Sequence, residues 1–86
     1  MNMEDKVALI SGASSGVGAA TARRLAALGS AVVVNYCHSA ESAESVVAEI
    51  RDLGGKALAL QGDVSSDADC QRMAATTRER WGGIDV

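Results

Sequence analysis

The run Ser11-Gly12-Ala13-Ser14-Ser15-Gly16-Val17-Gly18 follows directly on the apolar stretch Val7-Ala8-Leu9-Ile10. The pattern is that of a strand breaking into a turn whose backbone can cradle phosphate. Gly12 permits a sharp change of direction, Gly16 lets the backbone approach a pyrophosphate, and Gly18 lets a helix pack closely on the strand. A helix opening near Gly16 turns its unsatisfied N–H groups and the positive end of its dipole toward the same phosphates. The chemistry implied is the binding of a dinucleotide. The spacing is GxxxGxG rather than GxGxxG, and the lysine of GxxxxGK[ST] is missing, so a nucleoside-triphosphate loop is excluded. Two other readings stay open at this level. A methyltransferase-type glycine loop would call for an acidic residue at the end of the second strand, where this chain has Asn35 and Tyr36. A tight strand-to-helix turn could also hold no ligand at all.

The elements that must position this turn follow from short apolar runs. Val7 to Ile10, Ala31 to Val34 and Ala57 to Leu60 are too short and too unbroken to be surface helices, and they read as buried parallel strands. Between them lie segments of helical spacing, with Val17, Thr21, Leu25 and Leu28 expected on the inner face of the first helix. Ala43, Val47, Ile50 and Leu53 take that place in the second. The third helix opens at Ser66-Asp67-Ala68-Asp69 as a capping box, with Asp69 favourably placed near the helix dipole, and runs to about Trp81. Glycines follow each helix, at Gly29, at Gly54 and Gly55, and at Gly82 and Gly83, where left-handed residues commonly end helices. Ile84-Asp85-Val86 reads as the opening of a fourth strand. Right-handed crossovers then predict an α/β fold, the N-terminal half of a Rossmann fold, with a parallel sheet in the order 3-2-1.

Composition bounds the rest. The chain has 86 residues, room for one small domain, and a chain of that size buries only about 60 to 70% of its unfolded surface. With one Trp, one Tyr and no Phe, its core must be aliphatic. The formal net charge of -3 argues against nucleic acid as a partner, because such domains carry basic patches that neutralise phosphates. The polar start Met1-Asn2-Met3-Glu4-Asp5-Lys6 lacks the form of a signal peptide, and no apolar run approaches a membrane span, so a cytoplasmic location and no membrane partner are expected. Cys37 and Cys70 are far apart and form no CxxC pair, so no metal site is expected and buried or idle thiols are the plain reading.

Taken together, these motifs resemble those of the short-chain dehydrogenase/reductase (SDR) family, whose first turn reads TGxxxGxG; Ser11 keeps the hydroxyl of the usual Thr. The resemblance runs through Lys6 to Ile10, Ala31 to Tyr36, Gly62-Asp63-Val64 and Trp81 to Val86. The Val34-Asn35-Tyr36 ending is most similar to the 3-oxoacyl-[acyl-carrier-protein] reductase and glucose dehydrogenase branch. The resemblance implies that Asp63 hydrogen-bonds the adenine amino group with Val64 beside the ring. It also implies that Ser14, Ser15 and Val17 surround the phosphates and the adenosine ribose.

Selectivity between NAD and NADP turns on the end of the second strand, where an acid binds the ribose 2′-hydroxyl and repels a 2′-phosphate. Tyr36 occupies the family's acid position, so no carboxylate excludes NADP. Ser15 and Cys37 stand where NADP-preferring relatives often carry Arg. The balance favours NADP(H), with NAD(H) as the alternative. His38 and Ser39 could line the phosphate pocket, an imidazole binding phosphate better below about pH 6.5, although a solvated loop histidine is the plainer reading. Tyr36 also binds cofactor in this reading.

By the same resemblance the intact protein transfers hydride between the nicotinamide and a carbonyl or alcohol substrate, using Ser, Tyr and a Lys four places after the Tyr. The only tyrosine, Tyr36, is followed four places later by Ala40. No catalytic residue is therefore expected among these residues, and the 86-residue chain alone is expected to be inactive and either poorly soluble or partly disordered, with a first strand lacking its outer neighbour. A homo-oligomer, a tetramer, is implied for the full-length protein. The contrasting readings are a non-catalytic dinucleotide-binding or sensing module, and a half-sheet that serves only assembly and binds no dinucleotide.

Overall fold

The computed structural model describes residues 6–12 and 16–82; Ser14, Ser15, Gly83 and the expected fourth strand lie outside them. Strands β1 (Val7–Ile10), β2 (Ala31–Tyr36) and β3 (Lys56–Gln61) alternate with helices α1 (Gly16–Ala27), α2 (Ala40–Asp52) and α3 (Asp67–Trp81). All pairings are parallel in the order β1-β2-β3, which is the predicted 3-2-1 sheet seen from its other edge. Register runs from Val7 opposite Ala31 to Tyr36 opposite Gln61. The central strand is the most deeply buried, as a parallel strand covered on both faces must be: Val32, Val33 and Val34 are wholly buried.

Alternation along β2 separates the two faces of the sheet. Val32 and Val34, with Ala57 of β3, meet Ala19 and Ala22 of α1 and Ala43, Val46, Val47 and Ile50 of α2 in one cluster. On the opposite face Met73 and Thr77 are the buried residues of α3, and Met73 reaches Asn35 of β2. Polar ties fix α2 to the sheet and α1 to α2. The Arg51 guanidinium donates twice to the Ala57 carbonyl, at 3.1 and 2.8 Å, and Arg23 of α1 pairs with Glu49 of α2 at 2.7 Å.

Three expectations need correction. Val17 is 85% exposed and Thr21 is also exposed, while Ala19 and Ala22 form the inner face of α1. Small side chains let the helix backbone approach the β-branched surface of β2. Thr21 satisfies its hydroxyl locally on the Val17 carbonyl at 2.9 Å. Leu53 is 89% exposed, because α2 ends at Asp52 and the chain turns away at the cap. Cys37 and Cys70 are both exposed free thiols rather than buried ones. Elsewhere the punctuation is as read, with positive φ at Gly29, Gly54 and Gly82 after the helices. Among the described residues no helix is long and apolar enough to cross a membrane.

Candidate functional site

Because the strands are parallel and in register, their carboxyl ends emerge along one edge of the sheet, where ligands of open α/β sheets bind. A crevice of about 340 Å³ there is bounded by Ser11 and Gly12 after β1, Asn35 and Cys37 at the end of β2, and Gly62, Asp63 and Val64 after β3. Beside it a hollow of about 390 Å³ adds His38, Gln61, Asp69 and Arg72 to Cys37, Gly62 and Asp63. His38 also opens, with Ser39, onto the first turn of α2.

Gly12 and Gly16, on either side of the turn, have the conformation the sequence calls for. Gly12 and Gly16 adopt φ of +63° and +61°, a left-handed backbone that a side chain would strain. Among the described residues, a Cβ at either would meet nothing within 4 Å. The first turn of α1 carries no acidic residue, whereas that of α2 carries Glu41 and that of α3 carries Asp67 and Asp69. The positive end of α1 is thus left without a carboxylate of its own first turn, the charge pattern that suits a bound diphosphate. Gly18 is half-buried and Val17 projects outward. Ser14 and Ser15 lie outside the described residues.

At the third strand end the turn is built by its own side chains. Ser65 donates to Asp63 Oδ1 through both its N–H, at 2.9 Å, and its hydroxyl, at 2.7 Å. These bonds, the hydroxyl's first, hold the Asp63 carboxyl below its ordinary value of 3.8, with the nearby His38 acting in the same direction and desolvation opposing. Both Ser65 bonds use Oδ1, so Oδ2 has no hydrogen-bond partner among the described residues. Ser66 caps α3 as predicted, its Oγ accepting from the Asp69 N–H at 3.3 Å. The Asp69 carboxylate does not close the capping box; it reaches to the Asp63 N–H at 2.8 Å. Val64 is 53% exposed beside the crevice.

The structure therefore brings Gly12, Asp63 and Val64 to one crevice and sets His38 between that region and Ser39. Tyr36 stands apart: it is half-buried and packs against the cluster beneath α1 and α2, leaving the crevice wall to Asn35 and Cys37. Asn35 is the residue that sequence reasoning missed. It is 3% exposed, and its Nδ2 donates to the Gly62 carbonyl at 3.1 Å, the Leu60 carbonyl at 3.4 Å and Met73 Sδ at 3.1 Å, locking the end of β2 to the turn after β3. A lone amide closing the run Val32-Val33-Val34 was the available signal, since a buried polar group on a parallel strand must find partners. Arg72, whose Nη2 donates to the Gln61 carbonyl at 2.6 Å, gave no sequence signal. Among the described residues no group of three or more His, Cys, Asp or Glu side chains could hold a metal ion.

Comparison with known proteins agrees with this geometry. The family described as short chain dehydrogenase matches residues 6–86. A 3-oxoacyl-[acyl-carrier-protein] reductase of Synechocystis sp. is 47% identical over 81 residues, which cover 94% of this chain and 33% of that protein. An uncharacterized oxidoreductase of Methylorubrum extorquens is 45% identical over 84 residues, 98% of this chain and 34% of that protein. Among solved structures, a short chain dehydrogenase from Burkholderia cenocepacia J2315, in complex with NADP, matches with a TM-score of 0.92 at 41% identity, over 99% of this chain and 35% of that one. The chain spans about a third of the length of the relatives it matches.

Proposed function

Because the chain belongs to the short-chain dehydrogenase family, we propose that it provides the adenosine and pyrophosphate half of a nicotinamide-dinucleotide site in an oxidoreductase, with NADP(H) preferred over NAD(H). The observation that carries this reading is the convergence of three strand ends on one crevice beside the glycine turn and the amino end of α1. The bound nicotinamide would supply hydride exchange with a carbonyl or alcohol, and the substrate would be a small molecule of that class.

The residues of this chain bind and orient. Gly12, Gly16 and the N–H groups opening α1 take the pyrophosphate, with Ser14, Ser15, Val17 and Gly18 around the phosphates and adjoining ribose. Asp63 accepts from the adenine amino group and Val64 flanks the ring. His38 and Ser39 face the ribose 2′-phosphate. The absence of a carboxylate from Tyr36 through Ser39 supports NADP(H), since an acid there would repel that phosphate. Tyr36 serves by anchoring the end of β2 in the core, so that Cys37 and His38 are held at the edge. In the intact protein, by family resemblance, this unit would sit in a cytoplasmic homo-oligomer.

The test needs only the adenosine half of the cofactor. Calorimetric titration with 2′,5′-ADP and with 5′-ADP is expected to show saturable binding of both, tighter for the 2′-phosphorylated ligand, with binding lost in Gly16→Val. Failure of both ligands to bind would overturn the dinucleotide reading. Tighter binding of 5′-ADP would overturn the NADP(H) preference alone.

A further inference from the structure

The turn that carries Asp63 is braced from the following helix. Asp69 Oδ2 accepts the Asp63 backbone N–H at 2.8 Å, across six residues of chain. Its own N–H is held by Ser66 Oγ at 3.3 Å, so the carboxylate projects from a capped first turn. Its Oδ1 lies 3.8 Å from Arg72 Nη2, and that same guanidinium nitrogen donates to the Gln61 carbonyl at 2.6 Å. The backbone on both sides of Gly62 is therefore tied to α3 by two adjacent side chains. At Gly62 the chain passes close under α3: a Cβ there would stand 2.8 Å from Met73 Sδ and 3.3 Å from Arg72 Nη2, so both side chains would have to shift. With Asp63 N–H fixed and Asp63 Oδ1 occupied by Ser65, the remaining oxygen, Oδ2, has one direction in which to face.

We propose that Asp69 is a positioning residue for base recognition: by holding the Asp63 backbone it presents Asp63 Oδ2 to the amino group of the adenine. The inference rests on the reading of Asp63 as the adenine acceptor. Asp69 touches neither base nor phosphate. It acts through Asp63: Ser65 holds the carboxylate by Oδ1, and Asp69 fixes the backbone from which that carboxylate projects. The Asp69–Arg72 pair is a minor part of the brace, because a half-exposed ion pair at this separation adds little.

Base selectivity isolates this role. NADP and its hypoxanthine analogue, nicotinamide hypoxanthine dinucleotide phosphate, differ in that the 6-amino donor is replaced by a carbonyl and N1 gains a hydrogen, so the part of the ratio of their dissociation constants that Asp63→Ala removes reports the Asp63 bond. That ratio is independent of the fraction of protein that is folded. The native protein is expected to favour NADP about tenfold or more, the size of a hydrogen bond to a charged acceptor, and Asp63→Ala to erase the preference. Asp69→Ala is expected to reduce it to about twofold or less, whereas Asp69→Asn, whose amide oxygen can still accept the Asp63 N–H, restores most of it. A full preference in Asp69→Ala would overturn the proposal while leaving Asp63 as the acceptor. Loss in both Asp69 variants would also overturn it, since acceptance of the N–H would then not be what matters. No preference in the native protein, or one that survives Asp63→Ala, would overturn the reading of Asp63 and the proposal with it.

Discussion

Replacing Asn35 tests whether one buried amide holds the crevice together. Its Nδ2 lies 3.1 Å from the Gly62 carbonyl and 3.4 Å from the Leu60 carbonyl, in a side chain only 3% exposed. Asn35→Ala removes the donor, leaves the buried Gly62 carbonyl without it, and opens a small cavity against Met73. Those losses together cost about 2–4 kcal/mol. Asn35→Asp is worse despite its near-identical shape, because it directs a carboxylate oxygen at two carbonyl oxygens; an uncompensated buried charge costs about 3–5 kcal/mol. Against a domain stability of about 5–15 kcal/mol, with small chains at the lower end, either loss is large. Urea unfolding followed by far-UV circular dichroism should show the midpoint falling in the order native, Asn35→Ala, Asn35→Asp, with the slope unchanged. The Asn35→Asp deficit must also depend on pH. Burial raises the folded pKa of the introduced carboxyl above its unfolded value of about 3.9, so the deficit is absent below that value and grows as pH rises toward the folded one. An Asn35→Ala cost under about 0.5 kcal/mol, the range of ordinary surface changes, would refute the clamp. An Asn35→Asp protein as stable as the native one at neutral pH would do the same.

Two further outcomes are expected. Carboxyl ¹³C titration of Asp63 should give a midpoint below 3.8, and Ser65→Ala should move it upward by removing the hydroxyl bond; a native midpoint at or above 3.8 would refute the Ser65 contribution. Since the folded value is the lowered one, the stability this carboxylate contributes is complete above its ordinary value and is lost as pH falls through the folded one. Gly55→Ala should destabilise by about 1–3 kcal/mol, because its Cβ would come within strained contact of the Ile50 side chain and carbonyl. Those contacts are 2.7 Å to Ile50 Cγ2 and 3.0 Å to Ile50 O. Thermal melting checks it, and an unchanged midpoint would show that the Gly54-Gly55 turn can yield.

Local features were legible where a single stretch of chain carries its own physics. Short unbroken apolar runs have no alternative to burial as strands, and Ser66 finds its partner N–H three residues on, within the helix it starts. The glycine turn is legible for the same reason: φ near +60° at Gly12 and Gly16 is a property of those residues. The inner face of α1 was not legible. Ranking by side-chain size favours Val17, Thr21 and Leu25; Leu25 does pack on the cluster, but the close distance between helix and sheet places Ala19 and Ala22, not Val17 and Thr21, in the core.

The sequence by itself determined that a glycine-rich turn precedes a helix, that the strands are parallel and sequentially ordered, and which residues stand at the strand ends. These depend on backbone conformation, on hydrophobic periodicity and on the handedness of crossovers, all encoded within one strand–helix unit. Only the tertiary structure decided that the half-buried Tyr36 packs against the cluster under α1 and α2 while Asn35 and Cys37 line the crevice. It alone joined Asp69 to the Asp63 backbone and Arg72 to the Gln61 carbonyl. Those choices depend on the parity of side chains along a strand and on the angle at which α3 leaves β3. Both are settled by packing between segments far apart in the chain, where a one-residue change of register would exchange the two faces.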